Sequence, residues 1–315
     1  MRTVAITGGT GFVGGGLAKA LLAKGYAVRI VSRGKPARPL AGAAYAEASF
    51  SDAESLGRAV AGCDAVFHLA AALFCRSGAE FMRANAEGTA NLVAACGAAG
   101  VKKLVYLSSL AAAGPSEADK PRTEDMPEAP VSFYGRSKRG GEEAVRKFSG
   151  GPFVILRPPI VYGEKDFGLS TIASWVQRGV MVNAGSADGR FSFIYLDDLV
   201  RALTEALETD KFDGGTFFVC EDRTYAWREF IALLSAGMGV KMPVLLSLPP
   251  WAVFAAGCVY EWISALTGAA PALNRDKARE AVGPNWTASP GKWEKAAGWK
   301  GWTPLEEGIR RTFRK

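Results

Sequence analysis

Tyr134 and Lys138 stand four positions apart in Phe133-Tyr-Gly-Arg-Ser-Lys138, and on a helix they share a face. A tyrosine with a pKa of about 10 is a poor acid–base catalyst at neutral pH. An ammonium group beside it stabilises the phenolate and lowers that pKa. Tyr-x-x-x-Lys recurs by chance in many chains, so its weight depends on what surrounds it. Two features do. An apolar run, Lys102-Lys-Leu-Val-Tyr-Leu107, ends in Ser108 and Ser109, placing a hydroxyl at the end of a strand. At the start of the chain, Thr7-Gly-Gly-Thr-Gly-Phe-Val-Gly14 links the apolar Val4-Ala-Ile6 to a helical pattern of Leu17, Ala18, Leu21 and Leu22. In that setting Gly8 permits the tight turn, Gly11 lets the backbone approach a pyrophosphate, and Gly14 lets the helix pack close to the strand. The N–H groups and positive end of the helix then face the phosphates. A dinucleotide site and a proton-transfer pair together point to hydride-transfer chemistry.

These groups need a scaffold, and the rest of the chain supplies one. Tyr26–Arg33 reads as a second strand ending in Ser32-Arg33, followed by Gly34 and Lys35 with no carboxylate. An acidic residue here would bind the ribose hydroxyl of NAD; an arginine accommodates the 2′-phosphate of NADP and grips it in two places. The pattern therefore favours NADP over NAD. A weak strand at Ala44–Ala48 precedes Asp52, a helix cap for the Leu56/Val60 pattern. Ala65–Ala71 reads as a buried strand running into a small-residue loop, with His68 as a core histidine. A helix over Ala79–Ala99, the helix of Tyr134 and Lys138, and a strand at Phe153–Pro158 complete the alternation. Such alternation specifies a doubly wound parallel α/β sheet, a Rossmann fold, with ligand at the carboxyl ends of its strands. Past Pro158 the pattern loosens into helices near 169–179, 226–237, 250–266 and 304–314, with short strands near Phe193 and Phe217. The division is a nucleotide-binding part over 1–160, with sheet returns near 191–220, and a smaller, mostly helical substrate-binding part over 161–315.

The chain resembles the extended short-chain dehydrogenase/reductase family over nearly its whole length. The stretches that carry the resemblance are TGGTGFVG (7–14), VFHLAA (66–71), NAEGTANL (85–92), LVYLSSLAAAG (104–114), YGRSK (134–138), LRPPIVYG (156–163) and FSFIYLDDL (191–199). The resemblance implies that Tyr134 is the general acid/base and that Lys138 holds the nicotinamide ribose and tunes Tyr134. It also implies that a serine five residues before Gly114, hence Ser109, binds the substrate oxygen, with Ser108 as the fallback. The candidate cofactor positions are Gly8, Thr10, Gly11, Phe12, Val13 and Gly14, then Arg33, Leu69, Ala70 and Ala71, and finally Ser108, Tyr134, Lys138 and Pro158. Asn85 is expected to be structural and Asp198 to cap a helix. Pro271–Asp276 and Trp302–Gly308 are similar to the 3β-hydroxysteroid dehydrogenase-like and dihydroflavonol reductase-like branch.

Composition bounds the rest. The chain has 315 residues, 49% hydrophobic and 22% charged, and a net charge of +7. Its basic residues are dispersed apart from Arg310, Arg311, Arg314 and Lys315, so no nucleic-acid surface is expected. Five unpaired cysteines with no C-x-x-C spacing read as reduced thiols of a cytoplasmic protein. A single histidine gives no zinc site by the usual spacings, and no metal is expected. Val244–Leu266 is apolar, rich in aromatics and charged only at Glu261, and Pro249-Pro250 divides it. A buried or substrate-covering helix is the favoured reading there, ahead of a membrane-surface or partner-facing one. It suggests a hydrophobic small-molecule substrate such as a sterol, isoprenoid or polyketide-like ketone; a homodimer is compatible with it. Two alternatives stand beside an NADP-dependent oxidoreductase. One is a nucleotide-sugar epimerase or dehydratase holding NAD; the other is a non-catalytic cofactor-binding subunit.

Overall fold

A computed structural model describes residues 2–34, 36–117, 119–268, 271, 273–283 and 285–313, the side chain of residue 265 excepted. Lys35, Ala272, Arg314 and Lys315, noted in the sequence, lie outside the described residues.

The nucleotide-binding half alternates as its periodicity requires. Of strands β1 (Thr3–Thr7), β2 (Ala27–Ser32), β3 (Ala44–Glu47), β4 (Ala65–His68), β5 (Lys103–Leu107) and β6 (Phe153–Arg157), a loop joins β2 to β3 and helices join the others. The helices are α1 (Phe12–Ala23), α2 (Ala53–Val60), the pair α3 (Gly78–Phe81) and α4 (Gly88–Ala98), and α5 (Phe133–Val145). Asp52 does cap α2, accepting from the Glu54 and Ser55 N–H groups. The later chain adds β7 (Ile160–Tyr162), α6 (Phe167–Gln177), β8 (Val180–Ala184), β9 (Arg190–Phe191), β10 (Phe193–Tyr195), α7 (Leu196–Glu208) and β11 (Gly215–Phe218). It closes with β12 (Tyr225–Ala226), α8 (Trp227–Gly237), β13 (Val244–Leu248), α9 (Pro250–Thr267), α10 (Arg275–Val282), β14 (Asn285–Trp286), α11 (Gly291–Ala297) and α12 (Leu305–Phe313).

Seven parallel strands form the main sheet in the order β11-β6-β5-β4-β1-β2-β3. Alternate strand residues feed two cores. Val4, Ile6 and Phe67 pack with Leu17, Leu21 and Leu203 on the side of α1 and α7, whereas Ala5, Val66 and Tyr106 pack with Leu56, Leu92 and Val145 on the other. Crossover helices cover both faces, which is why the strands read as continuous apolar runs.

Three expectations are corrected. The return near Phe217 joins the sheet as β11, but that near Phe193 forms β10, paired with β7 in a separate ladder. The helix expected over Ala79–Ala99 contains a turn of π-helix at Met82–Glu87, centred on buried Asn85. Asp198 sits inside the first turn of α7, and its carboxylate accepts from the Thr303 N–H at 2.6 Å instead of capping its own helix.

The Pro249-Pro250 pair divides the apolar run 244–266 as expected: β13 pairs with β8, and α9 begins at Pro250. The buried alternative for this helix is overturned. Val253, Gly257 and Ser264 face inward, but Trp251 is 74% and Trp262 67% exposed. The cause is sparse cover, because α9 packs chiefly on α10. Of the five cysteines, Cys63, Cys75, Cys96 and Cys220 are buried and Cys258 is exposed.

Candidate active site

One cleft of about 1330 Å³ opens at the carboxyl ends of the strands, and every site residue expected from the sequence lines it. Gly8, Thr10, Gly11, Phe12, Val13 and Gly14 form one wall, with Arg33 and Leu69–Ala71 beside them. Ser108, Ser109, Tyr134, Lys138 and Pro158 complete it.

The glycines act at measurable limits. Gly8 has φ +72°, and a Cβ there would lie 2.7 Å from the Ala70 nitrogen. A Cβ on Gly14 would lie 2.2 Å from the Gly8 carbonyl oxygen, so α1 cannot otherwise pack so close to the turn. Gly11 precedes α1 without a side-chain cap, and the first turn of α1 holds no acidic residue. Its N–H groups are open to an anion, as a dinucleotide pyrophosphate requires. Arg33 is exposed and forms no hydrogen bond or ion pair among the described residues. Ser32 instead donates to the Gly34 carbonyl at 2.7 Å. A glycine cradle with a free guanidinium at its far end fits an anionic dinucleotide.

His68 is the core histidine expected. Thr89 donates to the Asn85 carbonyl at 2.5 Å, so its oxygen accepts from His68 Nε2 at 2.9 Å. Nδ1 then accepts from the Thr7 hydroxyl at 2.7 Å. Burial, reinforced by the Lys138 charge, pushes its pKa down to about 3, and the ring is neutral at physiological pH. Thr7 also receives the Ala70 N–H at 3.3 Å, tying β1 to the cofactor loop.

The two serines after β5 divide their roles. Ser108 donates to the Glu142 carboxylate at 2.5 Å, and Glu142 is fully buried. Arg157, at the end of β6, binds both Glu142 oxygens at 2.8 and 2.5 Å and also pairs with Glu128. Ser109 lies beside Tyr134 in the cleft, and its hydroxyl favours the ionised phenol. The Ser109 oxygen accepts from the Ala111 N–H at 3.2 Å, which fixes the turn. The phenol pKa is nevertheless raised, first by burial and then by the negative charge of Glu280, against the lowering influence of Ser109.

Lys138 lines the cleft with Tyr134. Its ammonium donates to the Leu107 carbonyl at 2.8 Å and lies 4.2 Å from the Tyr106 ring centroid. Burial lowers its pKa to about 7 despite the opposing attraction of Glu142. Lys138 thus stands on the same wall as Tyr134, with its charge spent on β5 instead of on the phenol.

Asn85 is structural, as expected: it accepts from the Ala72 N–H at 2.7 Å and donates to Ser137 at 3.0 Å, joining the cofactor loop to α5. Other contributors escaped the sequence reading. Asp276 accepts the Phe133 N–H at 2.6 Å, and Glu280 accepts from Ser132 at 3.1 Å, so α10 grips the start of α5. Lys165, in the cleft wall, adopts φ 67°, a left-handed backbone that is costly outside glycine.

The sequence profile of the NAD dependent epimerase/dehydratase family matches residues 4–220. The chain belongs to that family. As an NAD(P)-dependent enzyme of the epimerase/dehydratase family, it also has reductases among its curated relatives. The ceramide reductase of Caulobacter vibrioides is 29% identical over 94% of this chain and 95% of the relative. The 2-alkyl-3-oxoalkanoate reductase of Stenotrophomonas maltophilia is 28% identical over 98% and 97%. Among solved structures, UDP-glucose 4-epimerase from Thermotoga maritima superposes with a TM-score of 0.79 at 24% identity, covering 99% and 97% of the two chains, which establishes the shared fold. In this family setting the seven-stranded sheet is the Rossmann platform, and the cleft described above opens at the carboxyl ends of its strands.

Proposed function

We propose that the enzyme transfers hydride between NADP(H) and a ketone or secondary alcohol carried on a hydrophobic substrate. The observation that carries this reading is the convergence of Ser109 and Tyr134 with the glycine turn on one cleft. When bound, the reduced nicotinamide supplies the hydride. Ser109 holds the substrate oxygen, and Tyr134, kept protonated by burial, gives its proton to that oxygen as the carbonyl is reduced. In the reverse direction Tyr134 takes the alcohol proton. Lys138 stands on the same wall, where the nicotinamide ribose would lie. Arg33, unpaired among the described residues at the end of β2, supports the choice of NADP.

Support for a hydrophobic substrate comes from the exposed Leu73 and Phe74 at the cleft and from the names of the two relatives, which specify ceramide and 2-alkyl-3-oxoalkanoates. The test is turnover of a panel of hydrophobic ketones with NADPH by the wild type and Tyr134→Phe. Loss of turnover with retained NADPH binding is expected; undiminished turnover would overturn the mechanism. NAD co-purifying with the protein, with interconversion of a nucleotide sugar, would replace this reading with the epimerase one.

A further inference from the structure

We infer that the outer face of α9, together with the solvent face of the β8–β13 ladder, docks on an anionic lipid surface. This goes beyond the proposed reaction, and its readout is binding, not turnover. Trp251, Ala255, Val259, Trp262 and Leu266 recur at helical spacing and are all exposed, Leu266 at 68%. They form a stripe roughly 22 Å long at 1.5 Å per residue. A helix on the surface of a globular protein ordinarily turns its polar side outward. Here the inward side carries the one carboxylate: Glu261 receives the Arg275 N–H at 2.9 Å and its guanidinium at 2.7 Å.

The adjoining ladder repeats the inversion. Val180 and Val182 on β8, and Val244, Leu246 and Leu248 on β13, all face solvent. Leu248 leads through Pro249 directly into α9. Contiguous apolar surface of this kind marks an interaction site, and tryptophans suit the boundary between headgroups and acyl chains. No helix among the described residues is long and apolar enough to cross a membrane, so the face would lie on the surface.

Charge selects the occupant. Between Glu229 and Glu261 the chain contains a single charge, Lys241. Lys241 and Arg178 stand just before β13 and β8 at the same end of the ladder, both exposed and neither in an ion pair among the described residues. A second copy pairing through this face would bring cations to an already basic chain, whereas anionic headgroups neutralise them. The segment after α9 also walls a crevice containing Pro271, Lys277 and Tyr134, which sets the docked face one helix away from the site.

The test is co-sedimentation of the full chain with vesicles of phosphatidylcholine alone and of equal parts phosphatidylcholine and phosphatidylglycerol. The wild type should bind the mixed vesicles preferentially. The Trp251→Glu/Trp262→Glu variant should lose about tenfold or more of that partitioning while keeping its NADPH-induced rise in melting temperature. Absence of wild-type binding to either vesicle, or unchanged binding by the variant, would overturn the inference. So would a fall from dimeric to monomeric mass in the variant with no vesicle binding by the wild type, which would assign the face to a second copy. If the variant fails to fold, wild-type tryptophan quenching by brominated phosphatidylcholine in the mixed vesicles decides: quenching supports docking, and its absence overturns it.

Discussion

The Ser108 hydroxyl is bonded at 2.5 Å to a carboxylate, Glu142, that has no access to solvent. Ser108 therefore serves the buried Glu142–Arg157 pair, whereas its neighbour Ser109 lines the cleft beside Tyr134. Ser109→Ala is expected to lower kcat about 10²-fold through loss of a donor to the developing oxyanion, with NADPH binding kept. Ser108→Ala should keep most turnover but cost about 1–3 kcal/mol in urea unfolding, because a buried carboxylate loses a donor. Equal effects of the two changes on kcat would contradict this division.

Glu280 reaches Tyr134 from α10 by charge. Burial is the larger cause of the raised phenol pKa and Glu280 the next, so Glu280→Gln should make the phenol more acidic. The limb of the kcat/KM pH profile assigned to Tyr134 should move to lower pH, while the amide keeps the Ser132 contact. A limb that stays in place or moves upward would dissociate Glu280 from the acid.

Lys138 ionises near 7 in the folded chain against 10.5 for the free side chain. Above 10.5 it is neutral in both states and adds no penalty; below about 7 it is charged in both, and burying the charge costs its full amount. Its contribution to stability therefore improves as pH rises between those values. Relative to Lys138→Met, the wild type should gain on the order of 4 kcal/mol in urea unfolding between neutral and strongly alkaline pH. A constant difference across that window would show that the ammonium is not buried as described.

Arg33 has no partner to lose among the described residues. Arg33→Ala is expected to weaken NADPH by about 10–100-fold, the weight of charge-assisted hydrogen bonds, and to leave NADH unchanged. Thermal-shift titrations with the two nucleotides measure this directly. Equal wild-type shifts would remove the basis for preferring NADP.

Much of the cleft was legible because its residues obey local rules. The Gly8, Gly11 and Gly14 spacing, the carboxylate-free end of β2 with Arg33 and the serines ending β5 are each read in the chain itself. What was missed depends on contacts distant in sequence. The Glu142–Arg157 pair leaves only two faint traces: a carboxylate four residues after Lys138, and an arginine ending the otherwise apolar Phe153-Val-Ile-Leu. The grip of Asp276 and Glu280 on α5 joins segments more than a hundred residues apart and has no periodic signature. For α9, composition suggested burial; the exposure of Trp251 and Trp262 follows from how little of the chain folds over it.

The place of β11 has a consequence for synthesis. Gly215–Phe218 pairs with Val154–Arg157 and covers the outer edge of β6, while α7 packs against α1 over the same sheet face. A nascent chain that has passed residue 160 has every residue of the proposed chemistry, yet it presents a bare parallel edge and an unroofed sheet face. The nucleotide-binding half thus completes itself only after some sixty further residues have been made. A fragment cut at the apparent domain boundary should aggregate, while one ending beyond Phe218 has the edge closed.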